Sequence, residues 1–521
     1  MAMVASPLGH KGSLLNSMNP KTILYLCPHA FWLSKLFTSS GWFVCFEPFV
    51  IKEIRKHTNI SGKLKMTNEM ISPLSGLRRL IESDQMEASD VDFINDKPYV
   101  WSPHNKIINV TPGPAFGSEL VTQFTSTQTR GMRGPGVAKF FAAVREDYGK
   151  MVGLQEGGKS IFFTGSGTAA TEAAAGSCRT PDEADSDTPV ILTMEIGWFS
   201  MAMGNCVENI GRKATRLQCD LGDDLPLDKA REILANDTDH KIKMVMAPQN
   251  ETAAGVTTDP RKIRNLLDEL NHPALVVIDG ISSIGSMPCS MQDMGIDMLV
   301  GCSQKGIMGT PGIGMITLSP KAIEKILASE QQLKDAGMAK GQHYLNLGKI
   351  IEAMDTHGLH IETPSNYAQF AVALDSIAIE GIDRVCERHK ECSEVFRAAV
   401  KAAGLELVAK DPNTASNAVT AIRAPEGYGE KEIQHVLHIM YYKHAVEAAA
   451  IPGYPDMGWR LCATGGIQPQ HALIASIAFL QSAKEAGVPV DAEKGIAAAS
   501  QRYADLVQYH RPLPGIDVYG R

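Results

Sequence analysis

The sequence predicts an α/β protein in which helices cover both faces of a mostly parallel sheet. Short apolar runs of strand length recur from about residue 105 onward, and segments with a helical period separate most of them. These runs are apolar throughout rather than alternating, which indicates strands that are buried on both faces. A chain of 521 residues is also long enough for several domains and a sizeable core.

Strand and helix candidates alternate along the chain, as parallel strands joined by helices require. The strand candidates cover residues 161–164, 190–194, 242–247, 274–278, 298–302 and 313–318. The helical patterns among them cover residues 137–151, 169–175, 227–235 and 260–270. Beyond them come helical patterns at 367–403, 431–444 and 471–486 and a strand candidate at 417–423. We therefore expect an N-terminal extension (1–100), a larger domain (101–370) and a smaller domain (371–521).

The composition excludes several classes of partner. Hydrophobic residues make up 44% of the chain and charged residues 21%, which is typical of a soluble globular protein. A net charge of -8 argues against a general nucleic-acid-binding protein. No uninterrupted apolar run approaches the ~20 residues of a membrane span. The 10 cysteines form no CxxC pair and no zinc-type spacing, which indicates reduced thiols and no metal site. We expect small-molecule substrates, with no nucleic acid and no membrane as partner.

The first 46 residues contain Lys11, Lys21 and Lys35 but no acidic residue before Glu47. They are rich in serine and large apolar side chains, a bias typical of organelle presequences, although those usually favour arginine over lysine. One interpretation is therefore a mitochondrial or plastid address. The other is a lineage-specific extension or a misassigned start site, which leaves an intracellular soluble protein of the cytoplasm.

Residues 153–160 match the pattern GxxxxGK[ST] of a nucleotide phosphate loop. That loop works only between a strand and a following helix, because the helix N-terminus must face the phosphate. Here the order is reversed, since the helical pattern at 137–151 precedes the motif and a strand candidate follows it. We interpret this motif, which includes Lys159, as a solvated turn.

The next turn has the required order. The strand candidate at 161–164 is followed by Gly165-Ser-Gly-Thr168 and then by a helix of small residues. A strand, a glycine-rich turn and a helix N-terminus in this order form an anion pocket. The third glycine of a dinucleotide fingerprint is missing, so the turn predicts either a phosphate site or a tight structural turn.

Asp279 and Lys305 each follow an apolar strand candidate. In open α/β sheets the carboxyl ends of strands open into the ligand crevice, so both side chains are expected to face one site. Alone, such an aspartate could bind magnesium or cap a helix, and such a lysine is usually exposed to solvent. Together with the Gly165–Thr168 turn they supply an anion cradle, a pyridinium partner and a Schiff-base amine, the three parts of a pyridoxal phosphate site. The amine acts as a nucleophile only where nearby positive charge or desolvation lowers its pKa.

A series of short motifs in a fixed order is similar to a known enzyme family. The motifs are Thr111-Pro-Gly-Pro114, Arg133-Gly-Pro135, Thr164-Gly-Ser-Gly-Thr168, Gly197-Trp-Phe-Ser200, Asn250-Glu-Thr-Ala-Ala-Gly-Val256, Asp279-Gly-Ile-Ser-Ser-Ile-Gly285, Ser303-Gln-Lys-Gly306 and Trp459-Arg460. In these motifs the chain resembles the class V aminotransferases of pyridoxal phosphate fold type I, nearest the serine/alanine–glyoxylate aminotransferases, over roughly residues 105–485. The resemblance implies a large domain with a mostly parallel seven-stranded sheet between helices and a smaller α+β C-terminal domain.

The resemblance implies a role for each matching residue of the cofactor site. Lys305 would hold pyridoxal phosphate as a Schiff base, and Asp279 would keep the pyridine nitrogen protonated. Thr252 would hydrogen-bond the phenolic oxygen of the cofactor. Phe199 would stack on the cofactor ring, with Trp198 as the alternative. The phosphate would be bound by Ser166, Gly167, Thr168 and Gln304.

Two further contacts are implied by the resemblance. Thr363 matches a segment that reaches the phosphate of the neighbouring subunit, which implies a homodimer with shared active sites. His360 stands where some relatives have a tyrosine, and Thr363 alone is equally typical of a helix cap. Arg460 follows a Pro- and Gly-rich run and would bind the substrate carboxylate through two parallel hydrogen bonds. An arginine in an exposed turn is otherwise simply solvated.

The implied reaction is transamination between a small amino acid of the serine or alanine type and a 2-oxo acid such as glyoxylate or pyruvate. A 2-aminoethylphosphonate–pyruvate type aminotransferase is the close alternative, and it calls for basic groups beyond Arg460, such as Arg130 or Arg133. Cysteine desulfuration requires a mobile nucleophilic cysteine, for which Cys462 is the candidate. A scaffold without catalysis predicts loss of the lysine, the aspartate or the arginine, and all three are present.

Overall fold

The computed structural model describes residues 37–38, 41–42, 107–115, 117, 121, 135–183, 187–338, 341–356 and 364–507. The chain divides into two units, Met1–Pro98 and Tyr99–Arg521. In the first unit, β1 (Phe37–Thr38) and β2 (Gly41–Trp42) pair antiparallel. The rest of the predicted extension lies outside the described residues.

The second unit alternates strands and helices along most of its length. Its strands are β3 (Ile108–Asn109), β4 (Lys159–Thr164), β5 (Ile191–Glu195), β6 (Ala214–Gln218), β7 (Met244–Pro248), β8 (Asn250–Glu251), β9 (Val256–Thr257), β10 (Leu275–Asp279), β11 (Met298–Cys302), β12 (Ile313–Leu318), β13 (Val419–Arg423), β14 (Val446–Glu447), β15 (Ala449–Ala450) and β16 (Gly458–Cys462). Its helices are α1 (Pro135–Met151), α2 (Gly167–Gly176), α3 (Trp198–Asn209), α4 (Leu227–Asn236), α5 (Pro260–Glu269), α6 (Met291–Met294), α7 (Pro320–Asp335), α8 (Leu347–Thr356), α9 (Pro364–Glu380), α10 (Ile382–Ala402), α11 (Glu430–His444), α12 (Pro469–Glu485) and α13 (Ala492–Val507). None of these described helices is long and apolar enough to cross a membrane.

One large sheet organises the unit. Its seven strands lie in the order β4-β12-β11-β10-β7-β5-β6. Neighbouring strands are parallel, except that β12 runs antiparallel to both β11 and β4. Strands β5, β7 and β11 are buried along their whole length, because helices pack on both faces of the sheet. The predicted α/β class and mostly parallel seven-stranded sheet are confirmed.

Two elements differ from the sequence-based prediction. Strand β6 has no apolar run, because it is the edge strand beside β5 and its first three residues are only half-buried. The helical pattern predicted as one segment over 367–403 forms two helices, α9 and α10. Gly381 separates them with a φ of +87°, a conformation that glycine adopts without the cost that a Cβ atom imposes.

The C-terminal part of this unit has its own sheet and core. Strands β13, β16 and β15 pair antiparallel in that order, while β14 pairs in parallel with β3. Phe396, Trp459 and Phe479 lie in a core cluster separate from the one that contains Phe370 and Leu374 of α9. The boundary between residues 370 and 371 stays a prediction, since helix α9 runs across it.

Candidate active site

Lys305 and Asp279 lie at the ends of neighbouring strands. Asp279 is the last residue of β10, and Lys305 follows shortly after the end of β11. The two strands pair in parallel, so their carboxyl ends meet at the same edge of the sheet. The Asp279 carboxylate accepts a hydrogen bond of 2.8 Å from the Ile281 backbone N–H. Burial raises the pKa of Asp279 to about 6, although the Lys305 ammonium favours the ionised form.

The segment Thr111–Pro114 lies directly on the Lys305 side chain. Lys305 Nζ donates a hydrogen bond to the carbonyl oxygen of Pro112. Gly113 has a φ of +139°, and a Cβ atom there would lie 2.1 Å from Lys305 Nζ. Only the family resemblance marks this motif in the sequence. Its contact with the lysine becomes visible with the fold.

The predicted anion pocket is the N-terminus of α2. Ser166 is the N-cap residue, and its Oγ accepts a hydrogen bond of 3.3 Å from a backbone N–H of the first turn. The amides of Gly167 and Thr168 have no acceptor within the helix, as at every helix N-terminus, and are therefore suited to an anion. A Cβ atom at Gly167 would lie 2.5 Å from Ile281 Cδ1. Because Ile281 also donates to Asp279, the pocket adjoins that carboxylate.

Gln304, the residue before Lys305, contacts the residue that follows the Thr111–Pro114 segment. Its carbonyl oxygen accepts a hydrogen bond of 2.8 Å from the Ala115 N–H. Within the described part of the chain, the buried Oε1 atom of its side chain has no hydrogen-bond partner. Rotation of the side-chain amide by 180° exchanges its oxygen and nitrogen, so that N–H donors take the place of Oε1. Because buried polar groups are normally paired, the Gln304 side chain fits a bound polar group such as the cofactor phosphate.

Arg460 is buried in strand β16, so the alternative of a solvated arginine in an exposed turn does not hold. Strand β16 lies between β13 and β15, and all five of its residues are buried. Nε donates a hydrogen bond of 2.8 Å to the Ala450 carbonyl oxygen, while the buried Nη1 has no partner among the described residues. Burial lowers the pKa of Arg460 to about 10, which still leaves the guanidinium charged at neutral pH. An unpaired cationic N–H group in a buried position fits a ligand carboxylate.

The two aromatic candidates at the start of α3 have different surroundings. Trp198 is 43% exposed and Phe199 is 39% exposed. A Cβ atom at Gly453 would lie 2.1 Å from Trp198 Cε3, so the indole packs on the loop before β16. This contact favours Phe199 as the ring that stacks on the cofactor.

Glu251 is a site residue to which the sequence assigned no role. It lies at the end of β8, between Asn250 and the buried Thr252, and it is itself completely buried. Its charge raises the pKa of Asp279, beyond the larger effect of burial. It also raises the pKa of Arg460, against the larger effect of burial. The signal available in the sequence was its position inside the motif 250–256.

Two other candidates do not fit the roles considered for them, and two more lie outside the described residues. The 153–160 turn connects α1 to β4, so the helix precedes it and the strand follows, opposite to a phosphate loop. Cys462 is buried in β16, where its thiol donates a hydrogen bond of 3.2 Å to the Ala418 carbonyl oxygen, which disfavours a mobile nucleophile. Thr363 and His360 lie outside the described residues.

Comparisons with known proteins agree with this arrangement. The family described as Aminotransferase class-V matches residues 118–441. A serine–glyoxylate aminotransferase of Hyphomicrobium methylovorum is 32% identical over 333 residues, which cover 63% of this chain and 78% of that protein. An L-aspartate–glyoxylate aminotransferase of Paracoccus denitrificans is 28% identical over 75% of this chain and 95% of that protein.

Solved structures with this fold include aminotransferases. A ureidoglycine–glyoxylate aminotransferase from Bacillus subtilis superposes with a TM-score of 0.67 at 20% identity, over 78% of this chain and 99% of that one. A pyridoxamine–pyruvate aminotransferase from Mesorhizobium loti gives the same TM-score of 0.67 at 22% identity, again over 78% of this chain and 99% of that one. At these identities the likeness establishes the fold.

Proposed function

Because this chain belongs to the class-V aminotransferases, whose cofactor is pyridoxal phosphate, we propose that it transfers an amino group from a small amino acid to a 2-oxo acid. The donor is of the serine or alanine type, and the acceptor is glyoxylate or pyruvate. A similar protein named for serine and glyoxylate supports both choices, and one named for aspartate and glyoxylate supports the acceptor. A similar structure is named for pyruvate.

The observation that carries the proposal is the unpaired Nη1 group of the buried Arg460. Amino acids and 2-oxo acids share a carboxylate, so one fixed guanidinium serves both half-reactions. The charge of Glu251 acts on both Arg460 and Asp279, which supports one shared site. Lys305 acts on Asp279 as well, from the adjacent strand end.

The residues present fit the cofactor. Lys305 would hold it covalently through Nζ, and the α2 amides with the Gln304 side chain would bind its phosphate. Asp279 would pair with its ring nitrogen, Thr252 would bind its phenolic oxygen and Phe199 would stack on its ring. When bound, pyridoxal phosphate supplies an electron sink for the pair of electrons left at the substrate α-carbon. Lys305 Nζ would move the proton between the substrate α-carbon and C4′ of the cofactor, work that typically contributes ~10²–10⁴ in rate.

Reduction with borohydride tests the role of Lys305. The purified protein is expected to show the visible band of lysine-bound pyridoxal phosphate, and peptide mass analysis after reduction should place the cofactor on residue 305. Lys305→Ala should lose the band and the mass shift. Lys159→Ala, at the lysine of the 153–160 turn, is the control and should retain both. A Lys305→Ala protein that still binds the cofactor covalently and transaminates would overturn the proposal.

A half-reaction screen identifies the amino donor. Each amino acid is added alone, and conversion of the cofactor to its amine form is followed by absorbance. Serine or alanine should convert it fastest, and glyoxylate or pyruvate should reverse the change. Conversion by 2-aminoethylphosphonate alone would favour the alternative reaction instead. We prefer the carboxylate substrates because Arg460 supports them. Arg130 and Arg133, which the phosphonate alternative calls for, lie outside the described residues.

The active form is proposed to be a homodimer with shared active sites, through the match of Thr363 to a segment that crosses to the neighbouring subunit. Light scattering should then give twice the 56.3 kDa chain mass.

The acid-poor residues 1–46 are proposed as an organelle address, with the cytoplasm as the alternative location. Fusion of these residues to a fluorescent protein distinguishes the two locations.

A further inference from the structure

Glu251 places a carboxylate in the interior of the protein and surrounds it with donors. The side chain is 0% exposed. Its oxygens accept hydrogen bonds from the Ser200 N–H at 2.8 Å, the Ser200 hydroxyl at 2.9 Å, the Ala253 N–H at 3.0 Å and the Phe199 N–H at 3.4 Å. A buried carboxylate is tolerated only when its charge is compensated in this way.

These donors belong mainly to the first turn of α3. The N-cap residue of that helix is Gly197, which has no side chain to accept from the free amides. Glu251 supplies the acceptor from strand β8 instead, and its negative charge lies at the positive end of the helix. The backbone of Phe199 is therefore held by Glu251, not by α3 itself.

The contact between Glu251 and the helix start leaves no spare room. A Cβ atom at Gly197 would lie 2.6 Å from Glu251 Cγ and 2.8 Å from its Cδ. The φ of Gly197 is 171°, extended backbone that any residue adopts, so only this contact demands glycine. A methyl group here would displace the carboxylate without straining the main chain.

Glu251 also influences the ionisation of other groups near the site. Its charge acts on the Arg460 guanidinium, whose Nη1 has no hydrogen-bond partner, and on the Tyr454 hydroxyl of the loop that Trp198 contacts. The same charge acts on Asp279 across the adjacent strand end. One buried carboxylate thus connects the ring-stacking helix with the two charged groups expected to bind cofactor and substrate.

We propose that Glu251 is a positioning residue of this active site: it fixes Phe199 against the cofactor ring through the α3 N-terminus. The inference rests on the proposed function, because it takes Phe199 as a cofactor contact. It assigns no proton transfer to Glu251. The residue acts through its neighbours.

The test compares Glu251→Gln with the wild-type protein. The amide keeps the shape of the side chain but loses its charge, so the hydrogen bonds from α3 weaken. We expect the visible circular dichroism per bound cofactor to fall and the dissociation constant for pyridoxal phosphate to rise about tenfold. KM for the amino acid and the 2-oxo acid should rise as well. Gly197→Ala should produce the same changes by displacement, which keeps the test decisive if the glutamine variant does not fold.

Two variants control for a general loss of stability. Glu195→Gln removes another buried glutamate beside α3, one that pairs with Arg216 at 2.6 Å, and should lower the melting temperature while leaving the circular dichroism band unchanged. Gly136→Ala is the control for Gly197→Ala, because it adds a methyl group where no other atom lies within 4 Å. Unchanged circular dichroism, cofactor affinity and KM in Glu251→Gln and Gly197→Ala would overturn the inference. An equal loss of circular dichroism and cofactor affinity in Glu195→Gln would also overturn the inference. Failure of the wild-type protein to bind the cofactor at Lys305 would instead overturn the proposed function.

Discussion

Lys305 Nζ donates a hydrogen bond to the carbonyl oxygen of Pro112, a residue 193 positions earlier in the chain. The segment that contains Pro112 is held at both ends. The Ile108 and Val110 amides donate to the residues around β14, and the Ala115 amide donates to the carbonyl oxygen of Gln304. The same stretch therefore connects the C-terminal sheet region to Lys305.

Gly113→Ala should impair covalent binding of the cofactor. The new methyl group would lie 2.1 Å from Lys305 Nζ and 2.6 Å from Cε, so the side chain must move away from its position. We expect the fraction of cofactor fixed by borohydride to fall by about tenfold, the effect of ~1.4 kcal/mol of lost binding. Absorbance of the reduced adduct per mole of protein measures it.

Gly211→Ala is the matched control for Gly113→Ala. Gly211 has a φ of +77° but no atom within 4 Å of an added Cβ, so this variant tests backbone strain without the collision. It should cost ~1–2 kcal/mol of stability and leave cofactor binding intact. Equal cofactor loss in both variants would contradict the contact with Lys305.

Asp279→Asn should change how stability depends on pH in the cofactor-free protein. Burial raises the pKa of Asp279 from 3.8 to about 6, so the folded state holds more protons than the unfolded state between these values. The wild-type protein therefore loses stability relative to the variant as the pH rises from about 4 to about 6, by on the order of 1–3 kcal/mol. Urea unfolding at acid and neutral pH measures the difference. If the difference in the free energy of unfolding between the wild-type protein and the variant is the same at both pH values, the raised pKa of Asp279 is refuted.

The same Asp279→Asn variant should bind pyridoxal phosphate more weakly. The amide cannot carry the negative charge that a protonated ring nitrogen requires as a partner. The variant is thus expected to be the more stable protein at neutral pH and the poorer cofactor binder. Fluorescence titration with the cofactor measures the weaker binding.

Arg460→Lys should raise KM for both substrates by about tenfold or more, because an ammonium cannot form the two parallel hydrogen bonds of a guanidinium. The visible band of the bound cofactor should not change, since the predicted role of Arg460 is in substrate binding. Arg423→Lys, on the neighbouring strand β13, is the control. Similar KM values in the wild-type protein and Arg460→Lys would argue against carboxylate binding there.

Cys462→Ala should leave transamination close to the wild-type rate. The thiol is buried, and burial raises its pKa, so little of the reactive thiolate forms near neutral pH. Sulfide release from cysteine is therefore not expected from either protein. Sulfide production that disappears in Cys462→Ala would restore the desulfurase alternative.

The positions of strands and helices were largely predictable, because apolar periodicity is a local property of the chain. Strand β6 was missed since an edge strand needs no apolar run, and the break at Gly381 was missed since one glycine does not interrupt a helical pattern. The roles of Thr252, Phe199 and Thr363 still rest on the family resemblance.

By itself the sequence determined the α/β class, the placement of Asp279 and Lys305 after buried strands, and the rejection of Lys159 as a phosphate-loop lysine. Each of these follows from the order of residues along the chain, which sets strand ends and helix starts locally. Only the tertiary structure decided that Pro112 contacts Lys305, that Arg460 is buried with a free N–H group, and that Glu251 caps α3. These contacts join segments far apart in sequence, and burial and charge depend on what packs around a side chain.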